Sequence, residues 1–207
     1  MNPNRPLYLA GIDEYDESTG IFLISFVGKP AMEVEALALS QDAEYREAKF
    51  SLIEDKMQLV GPIAIPDKRI YRPDGTDDGR DILFTAESIA SARNKFHFKT
   101  GNLQMSNHDH VAHALVNAHM IESWIIEHPT HDKAVALGYN LPVGTWMGKY
   151  QVRDPEYWQS KVKTGQVGGF SLEGRFRFNK TNLAAIEPEN PDNETFWLEV
   201  AREFLTL

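Results

Sequence analysis

Turn chemistry punctuates the first half of the chain. Pro62, Pro66-Asp67 and the run Pro73-Asp-Gly-Thr-Asp-Asp-Gly79 separate short segments rich in β-branched and aromatic residues. Such punctuation predicts many short strands, at residues 8–12, 21–27, 34–39, 50–53, 57–65 and 82–85. The first two flank residues 13–20, whose acids and terminal Gly20 suit an exposed hairpin loop, so a hairpin is expected there. Helices are signalled by caps. Thr85 can cap a helix over 86–96, with Ile89, Ala92 and Phe96 on one face. Asp154 as N-cap, Pro155 at the first helical position, Glu156 in the first turn and Gly165 past the end predict a second helix. It should join a strand at 143–152 to one at 168–178. A last segment, 196–205, spaces Trp197, Val200, Ala201 and Phe204 as an amphipathic helix, which makes 180–207 a C-terminal helical appendage. With no internal repeat, low-complexity tract or linker, the expectation is one α+β domain over residues 1–207, in the form of a β-barrel ringed by a few helices.

Length and composition bound the function. A chain of 207 residues fits one domain, and 42% hydrophobic with 25% charged residues excludes disorder as its main state. The longest uncharged apolar run, 21–28, is far short of the ~20 residues of a membrane-spanning helix. Residues 1–13 lack the layout of a secretory signal, so a cytoplasmic location is expected. Zero cysteines remove disulfides, thiolate metal sites and thiol nucleophiles. Subtracting 30 acids from 21 bases gives a net charge of -9, which disfavours nucleic acid as a partner.

Three constellations could carry chemistry. Six of the seven histidines lie between His108 and His131, three of them in Asn107-His-Asp-His-Val-Ala-His113. With Asp109 and Asp132 near, they could ligate a divalent metal, but on a strand His108 and His110 share a face that His113 leaves. The plainer alternative is a polar loop of surface histidines, above all for His128 and His131 beside Pro129. In Gly168-Gly-Phe-Ser-Leu-Glu-Gly174, glycines two and three residues before Ser171 and three after it leave the hydroxyl approachable by another backbone, as a nucleophile receiving a peptide needs. A serine in a buried strand, bonded to its neighbours, is the competing account. The spacing is not the Gly-x-Ser-x-Gly of a nucleophile elbow. Finally, Glu122 interrupts the apolar strand pattern Met120-Ile-Glu-Ser-Trp-Ile-Ile126, and a carboxylate buried there would want a partner such as histidine.

The ordered set Val60-Gly-Pro-Ile-Ala-Ile-Pro-Asp-Lys68, Asn107-His-Asp-His110, Ile121-Glu-Ser-Trp-Ile-Ile126, Pro142-Val-Gly-Thr-Trp146 and Gly168-Gly-Phe-Ser-Leu-Glu-Gly174 resembles the phage prohead (capsid maturation) serine proteases of the XkdF-like group. The resemblance covers residues 20–180 and extends to the herpesvirus assemblin proteases, barrels in which the histidine precedes the serine. It implies a serine endopeptidase that trims scaffold and major capsid proteins, and itself, inside the assembling prohead in the host cytoplasm. It needs no cofactor or metal, and self-association is a family habit. The resemblance implies Ser171 as nucleophile and His108 as base, with His110 fitting the same string. Glu122 is the choice for the third member, with Asp109, Glu173 and a second histidine as rivals, and backbone amides, Arg175 or Arg177 are oxyanion donors to consider. Two other functions compete: a metal-dependent hydrolase built on the His108–His131 cluster, and a non-catalytic capsid-assembly or scaffold component.

Overall fold

A computed structural model describes residues 5–13, 15–30, 51–53, 56–73, 79–99 and 106–181. Their ten strands are β1 (Leu7–Gly11), β2 (Gly20–Val27), β3 (Ser51–Ile53), β4 (Gln58–Ala64), β5 (Ile70–Arg72), β6 (Arg80–Leu83), β7 (Ala118–Ile125), β8 (Trp146–Val152), β9 (Gly169–Arg175) and β10 (Arg177–Thr181). Three sheets result, with strand orders β10-β1-β6-β5, β2-β9 and β3-β4-β8-β7. Pairing is antiparallel except between β1 and β6. The molecule is thus a mainly antiparallel α+β structure with few helices, and no closed barrel forms among the described residues. None of its described helices is long and apolar enough to cross a membrane.

The expected hairpin of 8–12 with 21–27 does not form. β1 pairs with β10 and β6, whereas β2 pairs with β9. The acidic connector between them is instead tied to two cations from elsewhere. Lys95, buried at 8% exposure, donates from Nζ to the Asp13 and Asp16 carbonyls, both at 2.6 Å. Arg177 reaches the carboxylates of the same two residues at 3.2 and 2.8 Å. A second difference lies at 168–178, where one expected strand is two. Phe176 ends β9 by stacking edge-on against Phe84, centroids 5.1 Å apart, and the chain re-enters a different sheet as β10.

The caps act as expected. Helix α1 (Ala86–Phe98) opens with the Thr85 hydroxyl accepting the Ser88 N–H, and buries Ile89, Ala92 and Phe96. A short α2 (Lys133–Ala136) follows β7. Asp154 accepts the Tyr157 N–H at 2.9 Å and starts α3 (Pro155–Tyr157), which widens at once into a π turn, Trp158–Val162. The wide turn carries both Trp158 and Val162 into the core. There Phe26, Tyr150 and Phe170 form an aromatic centre, with centroid separations of 5.1 to 5.6 Å. The segments 34–39 and 196–205, with all of 182–207, lie outside the described residues.

β9 approaches the end of β2 closely because Gly169 has no side chain: a Cβ there would collide with the Pro30 ring. Gly169→Ala should therefore destabilise the fold by about 1–3 kcal/mol through overpacking, read as a lowered midpoint in urea unfolding.

Candidate functional site

The β2–β9 ladder sorts side chains by alternation. On β9, Phe170 enters the core, so Ser171 and Glu173 point to the opposite face. The antiparallel register sets Ser25 of β2 directly across from Ser171, and antiparallel partners share a face. A bulge at Phe22 fixes this register, since Ile21 pairs with Gly174 and Leu23 with Glu173.

Residues 106–109 add a further rung on the free side of β2. The Phe26 N–H donates to the Asn107 carbonyl at 2.9 Å and the Asp109 N–H to the Phe26 carbonyl at 3.0 Å. The chain then reverses in a turn closed by the Val111 N–H to the His108 carbonyl at 3.1 Å. Both central residues have positive φ, Asp109 at 50° and His110 at 61°. Neither is glycine, so each costs roughly 1–2 kcal/mol, offset by the surrounding hydrogen bonds. The turn delivers His110 beside Glu173.

Glu173 is where the three segments meet. Its Oε1 accepts from the Ser25 hydroxyl, from Asn107 Nδ2 at 2.9 Å and from His110 Nδ1 at 3.0 Å. Ser25 and Asn107 are fully buried. Ser25 Oγ also lies 3.2 Å from His110 Nδ1. Burial pushes the Glu173 carboxyl up, but the bonds from Ser25, Asn107 and His110 and the field of His110 outweigh it, so its pKa ends below the usual glutamate value. An ionised acceptor at Nδ1 selects the Nδ1–H tautomer of His110 and leaves Nε2 as its basic nitrogen. Ser171, 9% exposed, makes no side-chain hydrogen bond among the described residues. It lines an open cleft of about 480 Å³ with His110, Asp109, Leu172 and two cations, Lys29 and Arg72.

The other residues expected at the site lie elsewhere or are engaged. His108 has its Nδ1 2.9 Å from the Tyr157 hydroxyl and its Nε2 facing Asp109 Oδ2 at 3.4 Å. Burial, reinforced by the Asp109 and Asp154 carboxylates, raises the Tyr157 pKa, so the phenol keeps its proton. No bond links His108 or His110 to the Ser171 hydroxyl. Glu122 is brought to none of these groups: it pairs with Lys133 and with its cross-strand neighbour Lys149, the latter at 3.1 Å. Arg177 is committed to Asp13 and Asp16, and Arg175 stands exposed at the end of β9. The histidine cluster is dispersed: His113 is exposed, His119 sits on β7, and His128 and His131 stack on the surface with centroids 4.6 Å apart. Among the described residues, no group of three or more His, Asp or Glu is arranged to hold a metal ion.

Two members of this constellation were not singled out from sequence, Ser25 and Asn107. Ser25 had a signal, as the lone hydroxyl inside the apolar run of β2. Comparisons with protein-family models, with curated proteins and with solved structures found no match.

A carboxylate whose pKa is lowered on folding adds stability that is fully present above its unfolded value and is lost as pH falls through its folded value. The stability advantage of the wild type over Glu173→Gln should therefore be largest near neutral pH and shrink on acidification through the carboxylate range, as measured by urea unfolding at a series of pH values.

Proposed function

We propose that the chain is a serine hydrolase in which Ser171 is the nucleophile, His110 its general base and Glu173 the carboxylate that orients the imidazole. The observation that carries this is the Glu173 Oε1 to His110 Nδ1 bond, which turns a basic Nε2 loose in the cleft that Ser171 lines. A hydroxyl attacks a carbonyl only when something takes its proton, and a neutral imidazole held by a carboxylate does so and is stabilised once charged. In the forward step, the Ser171 O–H proton passes to His110 Nε2 as Oγ bonds to the scissile carbonyl carbon. The imidazolium then protonates the departing amine, and water, activated in the same way, hydrolyses the acyl-enzyme. Lys29 and Arg72 are the cleft cations that face developing negative charge. Serine–imidazole contacts are commonly long in unliganded enzymes and tighten with substrate, which accommodates the absence of a direct bond here.

His108 is the less suited of the two to act as base, because its Nδ1 is engaged with the Tyr157 hydroxyl and its Nε2 is turned to Asp109, and Glu122 is neutralised by two lysines. The chain order, a histidine from the Asn107–His110 string followed by Ser171, fits the prohead proteases equally with His110. On that resemblance we assign the substrates as scaffold and capsid proteins, cleaved within the assembling prohead. The step from β9 into β10 across Phe176, which ties two sheets together, is compatible with an open form of the assemblin barrel.

Incubation of the purified chain with its scaffold or capsid partner should yield trimmed product. Ser171→Ala and His110→Ala should each lower that rate on the order of 10⁴-fold, and Glu122→Gln should leave it near wild type. Equal trimming by Ser171→Ala and wild type would sink the assignment.

A further inference from the structure

The Ser171–His110 site depends on a turn that the chain would not adopt unaided. Two successive non-glycine residues, Asp109 and His110, sit in the left-handed region, and from that conformation His110 reaches Glu173. Backbone bonds from Asp109 to Phe26 and from Val111 to His108 close the turn but leave the side-chain end of it open. A second set of contacts closes that end. Tyr157, carried on α3, places its hydroxyl 2.9 Å from His108 Nδ1 and packs edge-on against the imidazole at 5.7 Å. His108 Nε2 faces Asp109 Oδ2 at 3.4 Å, and the other oxygen of Asp109 accepts the Gly28 N–H at 3.2 Å. The contacts run from helix through imidazole and carboxylate to the end of β2, and they brace the residue immediately before His110.

We propose that His108 is a positioning residue, the middle of a Tyr157–His108–Asp109 clamp that holds His110 in its left-handed turn facing the cleft. The proposal rests on Ser171 and His110 being the reacting pair, and it makes the two neighbouring histidines opposite in tautomer. His108 carries its proton on Nε2 because Nδ1 accepts from a phenol that stays protonated. His110 carries its proton on Nδ1 because that nitrogen donates to Glu173. A base at His108 would need the free nitrogen that the clamp removes.

Two measurements on the full chain test this. Long-range proton–nitrogen NMR correlation of the ring nitrogens, at a pH where both imidazoles are neutral, should find the Nε2–H form of His108; an Nδ1–H form overturns the clamp. In parallel, the rate at which a fluorophosphonate probe modifies Ser171 reads how well His110 is aimed. Tyr157→Phe, which keeps the ring but removes the hydroxyl, should slow that reaction about tenfold with little change in Tm, since small misplacements of a base are costly. His108→Ala should be at least as slow. His108→Asn, whose Oδ1 can accept from Tyr157 where Nδ1 did, should recover most of the loss. An Asn variant as slow as the Ala variant overturns the positioning role. Failure of the wild type to react at all instead counts against Ser171 as nucleophile, and the His108 tautomer then decides the clamp by itself.

Discussion

One carboxylate oxygen, Glu173 Oε1, ties together side chains from three stretches of chain. Ser25 reaches it from β2, Asn107 and His110 from the rung and turn beyond, and Glu173 itself comes from β9. A carboxylate partly withdrawn from water is unfavourable unless donors surround it, and three donors convert that penalty into a fixed, ionised anchor. The aromatic centre of Phe26, Tyr150 and Phe170 sits on the other side of the same two strands. One ladder therefore divides an apolar side, which packs into the core, from a polar side, which carries the candidate site.

What could be read beforehand was local. Thr85 and Asp154 announce helix starts because a capping side chain acts on amides two or three residues away, inside any reading window. Ser171 stood out through its glycines, and Gly169 does admit a close neighbour, the Pro30 ring. Partners set by strand pairing were out of reach. Ser25 meets Glu173 across 148 positions, and no spacing rule connects them. Glu122 looked buried in an apolar segment, yet its charge is met by Lys149 from the adjoining strand and Lys133 from α2. Adjacent strands at 8–12 and 21–27 suggested a hairpin, but β1 finds its neighbours at the far end of the chain and in β6.

The choice between His108 and His110 illustrates the same limit at shorter range. On an extended strand the two rings would be equivalent, both on one face. They differ because the chain reverses between them with two positive φ angles, at residues that do not advertise a turn as Asn-Gly would. One ring is consequently folded back against Tyr157 and the other swung toward Glu173. Backbone handedness, rather than residue type, gives the two rings their different partners.

The extra residue at Phe22 reaches further than the local bend that it makes. Side chains alternate along a strand, so which of them look into the cleft is a question of parity, and the bulge is where the parity of β2 against β9 is set. Were the ladder to run on from Ile21–Gly174 without that bulge, Ile24 would stand opposite Ser171 in place of Ser25. Two halves of one ladder are thus held a residue out of step, which lets Gly20 and Ile21 pair with Arg175 and Gly174 while Ser25 still faces Ser171.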